Sequence, residues 1–382
     1  MTTKINLAEI ETFLWTKLFT RLEQEYLLKQ NVLNNISFLQ QKLDEIIRQE
    51  EIALPKSILN EIKNKVIQRI TGLGPLQNLL DDESVSEIMV NGTDNIFVEK
   101  NGVLKKTPLF FHSENELLNI INRIVSQVGR RIDKSSPMVD ARLKDGSRIN
   151  AIIPPLSLTG PTLTIRKFSK TPLTLDNLVK LGSITSSTKE ILLQAIANKD
   201  NIIISGGTGT GKTSLLNALS QNIPDSQRIV TIEDSAELQL KHNHLISLES
   251  RPANMEGKGE ISIRDLVKNA LRMRPDRIIV GEIRGAEAID MLQAMNTGHQ
   301  GSLTTVHANA PLEALLRIET MVLMGDVELP LKAIRQQIIG AITLIIQLER
   351  QADGQRKISQ ISCLRSDVAL REKGEYRLEN LI

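Results

Sequence analysis

At 382 residues the chain is too long for one ordinary hydrophobic core and calls for two or three domains. Its 41% hydrophobic and 24% charged residues sit near the averages for globular proteins and exclude an intrinsically disordered chain. A net charge of +2, with no long block of one sign, gives no indication of nucleic-acid capture by bulk electrostatics. The single cysteine, Cys363, permits no internal disulfide and no cysteine-clustered zinc site, which fits a reducing compartment. The longest apolar stretch, Ile338 to Ile346, is nine residues, too short to cross a bilayer as a helix. No basic segment followed by an apolar core opens the chain, so a cytoplasmic protein is expected, with any membrane contact peripheral.

Residues 5 to 50 carry apolar positions at three- and four-residue steps: Leu7, Ile10, Leu14, Leu18 and Leu22, then Leu28, Val32, Ile36, Leu39, Leu43 and Ile46. That spacing predicts helix until Pro55, after which Ile58, Ile62, Val66 and Ile70 mark one face of a further helix. Residues 1–71 therefore read as an N-terminal helical bundle, either a packed body without a site or a docking surface for a partner. Gly72-Leu73-Gly74-Pro75-Leu76 breaks the helices, and a small α+β domain over 72–165 follows. Its β-rich runs are Glu87 to Val90, Ile96 to Glu99, Arg142 to Lys144 and Arg148 to Ile153, with tight turns at Asn101-Gly102 and Asp145-Gly146. Glu114 to Ile132 has a helical pattern, and the Pro- and Gly-rich run from Ile152 to Pro161 closes the domain.

From 166 to 382 the texture changes to short apolar strands alternating with helices. The strands are Asn201 to Ser205, Arg228 to Ile232, Arg277 to Val280 and Leu303 to Val306, which predicts a wound, mainly parallel α/β sheet. A terminal hairpin, Leu344 to Leu348 and Lys357 to Leu364, turns at Asp353-Gly354. After residue 165 the only aromatic residues are Phe168 and Tyr376, which weighs against gripping a single strand by base stacking. Nucleic acid is not an expected partner.

The chemistry centres on Gly206-Gly207-Thr208-Gly209-Thr210-Gly211-Lys212-Thr213, with Ser214 next in the chain. It fits the Gly-x4-Gly-Lys-Ser/Thr phosphate loop at each fixed position, behind the strand Ile202-Ile203-Ile204 and ahead of a helix. The glycines let successive backbone N–H groups turn inward on phosphate oxygens, and the helix adds its positive N-terminal end. Lys212 is expected on the β- and γ-phosphates and the Thr213 hydroxyl on Mg²⁺. The pattern implies binding of a nucleoside triphosphate.

Hydrolysis needs a carboxylate beside the terminal phosphate. Arg277-Ile278-Ile279-Val280-Gly281-Glu282 is an apolar strand ending in an acid, where an open α/β sheet places its ligand crevice. Gly281 stands where an Asp is usual, so Glu282 acts on Mg²⁺ through water, on the attacking water, or on both. Glu233, Asp234 and Glu237 follow the preceding strand and face either the same crevice or solvent. His299 and His307 flank Leu303 to Val306, as structural side chains or as sensors of the γ-phosphate and the acids.

Taken in order, these motifs resemble the secretion ATPase superfamily of type II and type IV secretion, type IV pili and archaeal flagella. The residues are the phosphate loop, Ile232-Glu233-Asp234, Gly281-Glu282-Ile283-Arg284-Gly285, Gly298-His299-Gln300-Gly301 and His307-Ala308-Asn309. Pro137 to Leu143, Asp145-Gly146-Ser147-Arg148 and Thr164-Ile165-Arg166-Lys167-Phe168 are most similar to the CpaF/TadA branch, which drives tight-adherence pili. The tetracysteine insertion of type II secretion ATPases has no counterpart here. The resemblance covers about residues 70 to 350.

It implies a RecA-like motor domain preceded by a PAS-like α+β domain, binding ATP and Mg²⁺, assembled as a homo-hexamer and working on an inner-membrane platform protein. It makes Glu282 the catalytic Walker B acid, places Glu233 and Glu237 in the Asp box and His307 in the His box, and casts Arg142 and Arg148 as arginines that reach the phosphates. Arginine suits that task because its charge is permanent and its fork matches phosphate oxygens.

Overall fold

Most of the apolar steps of the N-terminal segment fall where its helices bury them, while Leu7 and Ile36 are exposed. The structure, a computed structural model, describes residues 7–25, 35–100, 102–143, 145–168, 173–251, 253, 258–325 and 328–382. It divides into two compact units, Met1–Ser169 and Lys170–Ile382. Among the described residues the first unit opens with the helices Leu7–Gln24, Ile36–Gln49 and Lys56–Thr71. Leu14, Leu18, Leu22, Leu39, Leu43, Ile62 and Val66 close on one another in their shared core; Leu28 and Val32 lie outside the described residues. Asn35 caps the second helix by accepting the Phe38 N–H, and Pro55 starts the third rather than ending the second.

An antiparallel sheet follows: β1 (Val85–Asn91), β2 (Asn95–Lys100), β3 (Val103–Lys106), β4 (Met138–Arg142), β5 (Arg148–Ile152) and β6 (Thr162–Arg166). Its order is β3-β2-β1-β6-β5-β4. Period-two alternation sends Ile88, Val90, Ile149, Ala151, Leu163 and Ile165 to one face, where the helix Glu114–Ser126 packs Leu117, Ile120, Ile121 and Ile124 on them. That helix stops at Ser126, short of the expected Ile132, with Gly129 at φ 69° just beyond. Gly102 and Gly146 take φ of 77° and 91° at the hairpin turns, while Asn101 and Lys144 lie outside the described residues. β3 and β6 are additional to the sequence-based expectation; β6 emerges directly from the Pro-rich run.

The second unit is wound on β7 (Ile202–Gly206), β8 (Ile229–Glu233), β9 (Leu245–Glu249), β10 (Arg277–Val280), β11 (Leu303–Val306), β12 (Leu344–Arg350), β13 (Arg356–Leu364) and β14 (Leu378–Asn380). The order is β14-β13-β12-β7-β11-β10-β8-β9, parallel from β9 to β12, with β13 and β14 added antiparallel at one edge. Continuous apolar runs suit strands covered on both faces. Ile203, Val230, Ile278, Val280 and Ile345 meet helices on one face, among them Glu287–Asn296 and Pro311–Leu323. Ile202, Ile204, Ile229, Ile279 and Ile346 meet Ser186–Ala197 and Lys212–Ser220 on the other. Among the described residues no helix is long and apolar enough to cross a membrane.

A fully buried guanidinium fixes the start of β10. Arg277 donates to Gln227 Oε1 at 2.6 Å, to the Ile196 carbonyl at 2.7 Å and to the Gly301 carbonyl at 3.3 Å. A β-carbon on Gly301, whose φ is 82°, would come within 2.7 Å of Arg277 Nη1, which explains that glycine.

In the first unit Glu116 is buried, its carboxylate accepting the His112 N–H at 2.8 Å and standing 3.8 Å from Arg69, whose guanidinium stacks on Trp15 at 4.3 Å. Burial, against the opposing pull of that hydrogen bond and of Arg69, pushes its pKa from 4.5 up to about 7. The folded state therefore holds the proton more tightly than the unfolded chain; the stability this brings is complete below pH 4.5 and lost as pH rises through 7. Glu116→Gln keeps an oxygen for the His112 N–H and removes that loss. Relative to wild type, the variant should gain roughly 3 kcal/mol of stability between pH 5 and pH 8. Urea unfolding followed by fluorescence of the single tryptophan, Trp15, at the two pH values checks it.

Candidate nucleotide site

Four parallel strands, β7, β11, β10 and β8, lie side by side in that order, so their C-terminal ends open on one edge of the sheet. β7 runs into the phosphate loop, β11 into His307, β10 into Glu282, and β8 ends on Glu233. The tertiary structure thus gathers residues spread over a hundred positions of sequence.

The loop is closed on itself. Gly209 and Gly211 take φ of 71° and 94°, and Gly211 caps the helix Lys212–Ser220. Thr210 Oγ1 donates to the Gly207 carbonyl at 2.9 Å. Gly206 is needed for space: a β-carbon there would meet Thr210 Oγ1 at 2.6 Å and the Leu348 carbonyl at 2.8 Å. Buried Lys212 folds back to donate to the carbonyls of Gly206 and Gly207 at 2.9 and 2.8 Å. Thr208 is exposed at the crest, and Thr213 and Ser214 stand half-buried in the first helical turn.

A chain of charged and polar groups leaves the lysine. Lys212 Nζ is 3.5 Å from His307 Nε2, which is 2.9 Å from Glu282 Oε1. Glu282 Oε2 accepts from Arg284 Nη2 at 2.6 Å, and Arg284 Nη1 is 3.8 Å from Asp234 Oδ2. Burial first, then the Lys212 charge, holds His307 below the ordinary imidazole range. At neutral pH the ring is therefore uncharged, and its contact with Glu282 is not a salt bridge. The hydrogen bond from Arg284 to Glu282, followed by the charges of Glu282, Asp234 and Glu237, raises the guanidinium above its ordinary value. Glu282 Oε1 is buried without an aligned hydrogen-bond donor, although His307 Nε2 lies 2.9 Å away.

That orphaned oxygen bears on the metal. A buried carboxylate oxygen without a donor at the mouth of a phosphate loop suits Mg²⁺ or a water bound to it, and the Thr213 hydroxyl is the loop's own candidate ligand. Among the described residues no group of three His, Cys, Asp or Glu side chains is set to hold a metal ion, so phosphate and water oxygens would complete the shell.

Glu233 and Gly281 explain each other. The buried Glu233 carboxylate accepts backbone N–H groups of Glu237 and Leu238 at 2.9 and 3.0 Å, which braces the turn carrying Glu237. A β-carbon on Gly281 would lie 2.9 Å from Glu233 Cγ, so the space an aspartate needs there is already filled. His299 sits at the opposite, N-terminal end of β11, its carbonyl accepting from Ser302 Oγ. Of the two histidines only His307 joins the cluster.

Arg142 and Arg148 belong to the first unit, directly opposite each other on β4 and β5, and Arg148 is opposite Arg166 on β6. The three guanidinium side chains form one cross-strand row; Arg142 lies 5.9 Å from the Phe168 ring and Arg166 Nε 3.4 Å from Glu87. Sequence reasoning left Arg166 and Arg284 without roles. The alternation of Thr162–Arg166 was the available signal for the first, and the two-residue spacing from Glu282 for the second. Arg350 and Arg356 were also left out: Arg356 Nε donates to the Gly209 carbonyl at 2.9 Å from across the sheet.

The chain matches the family model described as type II/IV secretion system protein over residues 69–375. It is 35% identical over 308 residues to a Mycobacterium tuberculosis protein provisionally named for conjugal transfer, covering 79% of this chain and 87% of that one. Against the type IV secretion system protein VirB11 of Bartonella henselae the identity is 33% over 330 residues, 76% of this chain and 92% of the relative. Among solved structures the ATPase DotB of Legionella pneumophila superposes with a TM-score of 0.55 at 25% identity, covering 78% of this chain and 81% of that one.

The His307 environment can be read directly. Its imidazole should titrate below the ordinary value of 6.5 in NMR spectra of the free protein. In a Lys212→Ala variant, with the neighbouring positive charge gone, the midpoint should move upward. A midpoint at or above the ordinary value in wild type, or one indifferent to Lys212, would refute the arrangement.

Proposed function

This chain belongs to the type II/IV secretion system family of ATPases, and on that premise we propose that it powers assembly of a tight-adherence-type pilus, or protein secretion, through an inner-membrane platform. The observation that carries the catalytic part is the buried, donor-less Glu282 Oε1 in one cluster with Lys212 of the phosphate loop. The CpaF/TadA-like runs around Pro137 to Arg148 and Thr164 to Phe168, and the missing tetracysteine insertion, support the pilus branch.

Backbone N–H groups of residues 206–213 and the N-terminal end of the helix Lys212–Ser220 receive the phosphates. Lys212 leaves the carbonyls of Gly206 and Gly207 for the β- and γ-phosphates, which also removes its charge from beside His307. Thr213, and Glu282 through water, are the residues to hold Mg²⁺, which when bound neutralises charge on the phosphate oxygens. Glu282 orients and polarises the attacking water while Arg284 donates a hydrogen bond to its other oxygen. Neutral His307 offers a hydrogen bond to the acid or to the terminal phosphate. Arg142 and Arg148 are proposed to contribute charge to the phosphates, and the working form is proposed to be a cytoplasmic homo-hexamer.

A second reading, a motor for conjugation, is favoured by the conjugal-transfer name of the mycobacterial relative. It requires turnover stimulated by DNA, and the scarcity of aromatics and the small net charge weigh against it.

Glu282→Gln should bind ATP within a few-fold of wild type and lose on the order of 100-fold or more in turnover. Phosphate release is the assay, run over a range of protein concentrations with and without single-stranded DNA. Specific activity that climbs with concentration supports a shared assembly. Undiminished hydrolysis by the variant sinks the assignment of Glu282, and strong DNA stimulation moves the conclusion to conjugation.

A further inference from the structure

The phosphate loop has two flanks. On one, β11 and β10 bring His307 and Glu282, the groups suited to a terminal phosphate; on the other, β7 pairs with β12. A nucleotide lying with its γ-phosphate toward Glu282 points its nucleoside away from that flank. There β12 runs past the loop: Leu348 is level with Gly206, and the strand continues to Arg350, which faces Arg356 on β13.

Both arginines reach the crest. Arg356 holds the Gly209 carbonyl at 2.9 Å, a β-carbon on Gly209 would meet Arg350 Nη1 at 3.5 Å, and one on Gly211 would meet Arg356 Cδ at 3.4 Å. The composition supplies the other half of the inference. From residue 170 to 382 the only Phe, Tyr or Trp is Tyr376, and it is half-buried against Arg335, 5.7 Å from the guanidinium carbon. A purine held by this unit has no Phe or Trp ring and no other Tyr ring of it to stack on, whereas a guanidinium plane stacks on bases.

We propose that Arg350 is the platform for the base of the bound nucleotide. Arg356 sets its height by tying the hairpin to Gly209, so that loop and platform move as one body. The inference rests on the loop being an ATP site and adds the residue that holds the nucleoside end.

The test is calorimetric titration of the full chain with Mg-ATP and, separately, with inorganic tripolyphosphate, which carries the phosphates without the base. Arg350→Ala should weaken ATP about tenfold, the order of one desolvated stacking contact, and leave tripolyphosphate within about twofold. Arg350→Lys, which keeps the charge and loses the plane, should recover little of the ATP affinity. Equal losses for both ligands, restored by lysine, would make Arg350 a phosphate contact and overturn the platform. Equal ATP affinity in all three proteins would overturn it as well and leave the ATP site standing. A wild type that binds tripolyphosphate and no ATP would bring down the nucleotide reading itself.

Discussion

The site depends on parallel register. Because β7, β11, β10 and β8 run the same way, their unsatisfied C-terminal ends fall on one edge, and each contributes one functional group there. Loops at such an edge leave the sheet in sequence order but meet in spatial order. The phosphate loop becomes a neighbour of His307, and His307 of Glu282, although β8 and β10 come between β7 and β11 in the chain. The buried Arg277 guanidinium and the glycine at 301 hold that register at the far end of β10 and β11, where it can be set without disturbing the chemistry.

The site pairs its own lysine and arginine with neighbouring oxygens. Lys212 is buried, and its ammonium is hydrogen-bonded by loop carbonyls that a nucleotide must replace. Burial, and after it the Lys212 charge, keeps His307 neutral, and Arg284 engages the outer oxygen of Glu282 while the inner one has no aligned donor. Pre-arranged dipoles and charges of this kind are the main means by which a protein assists phosphoryl transfer.

The acidic segment after β8 shows how a motif divides its labour. Glu233 is turned into the chain and braces the turn, Glu237 and Asp234 surround Arg284, and the side chain of Glu233 takes the space that makes residue 281 a glycine. The missing aspartate before Glu282 is therefore a packing consequence of the neighbouring strand. Glu233 holds the backbone of the turn, while Glu282 is the carboxylate at the cluster's centre.

The phosphate loop, the apolar strands that carry it and the helical steps of the first residues could be read from the sequence, because each rests on interactions between neighbours in the chain: glycine torsions, strand alternation, three- and four-residue helical spacing. Glu282 could be read as well, since a strand ending in an acid is a local pattern. Strand pattern alone did not separate His299 from His307, which only the family resemblance singled out; the direction of β11 puts the latter beside Lys212. Nor could it show the row Arg142, Arg148 and Arg166, which exists through strand pairing, or the reach of Arg350 and Arg356 to a glycine more than a hundred positions earlier. Those were decided by tertiary structure, because a contact across a sheet is set by register and direction, and neither is written in any single stretch of chain.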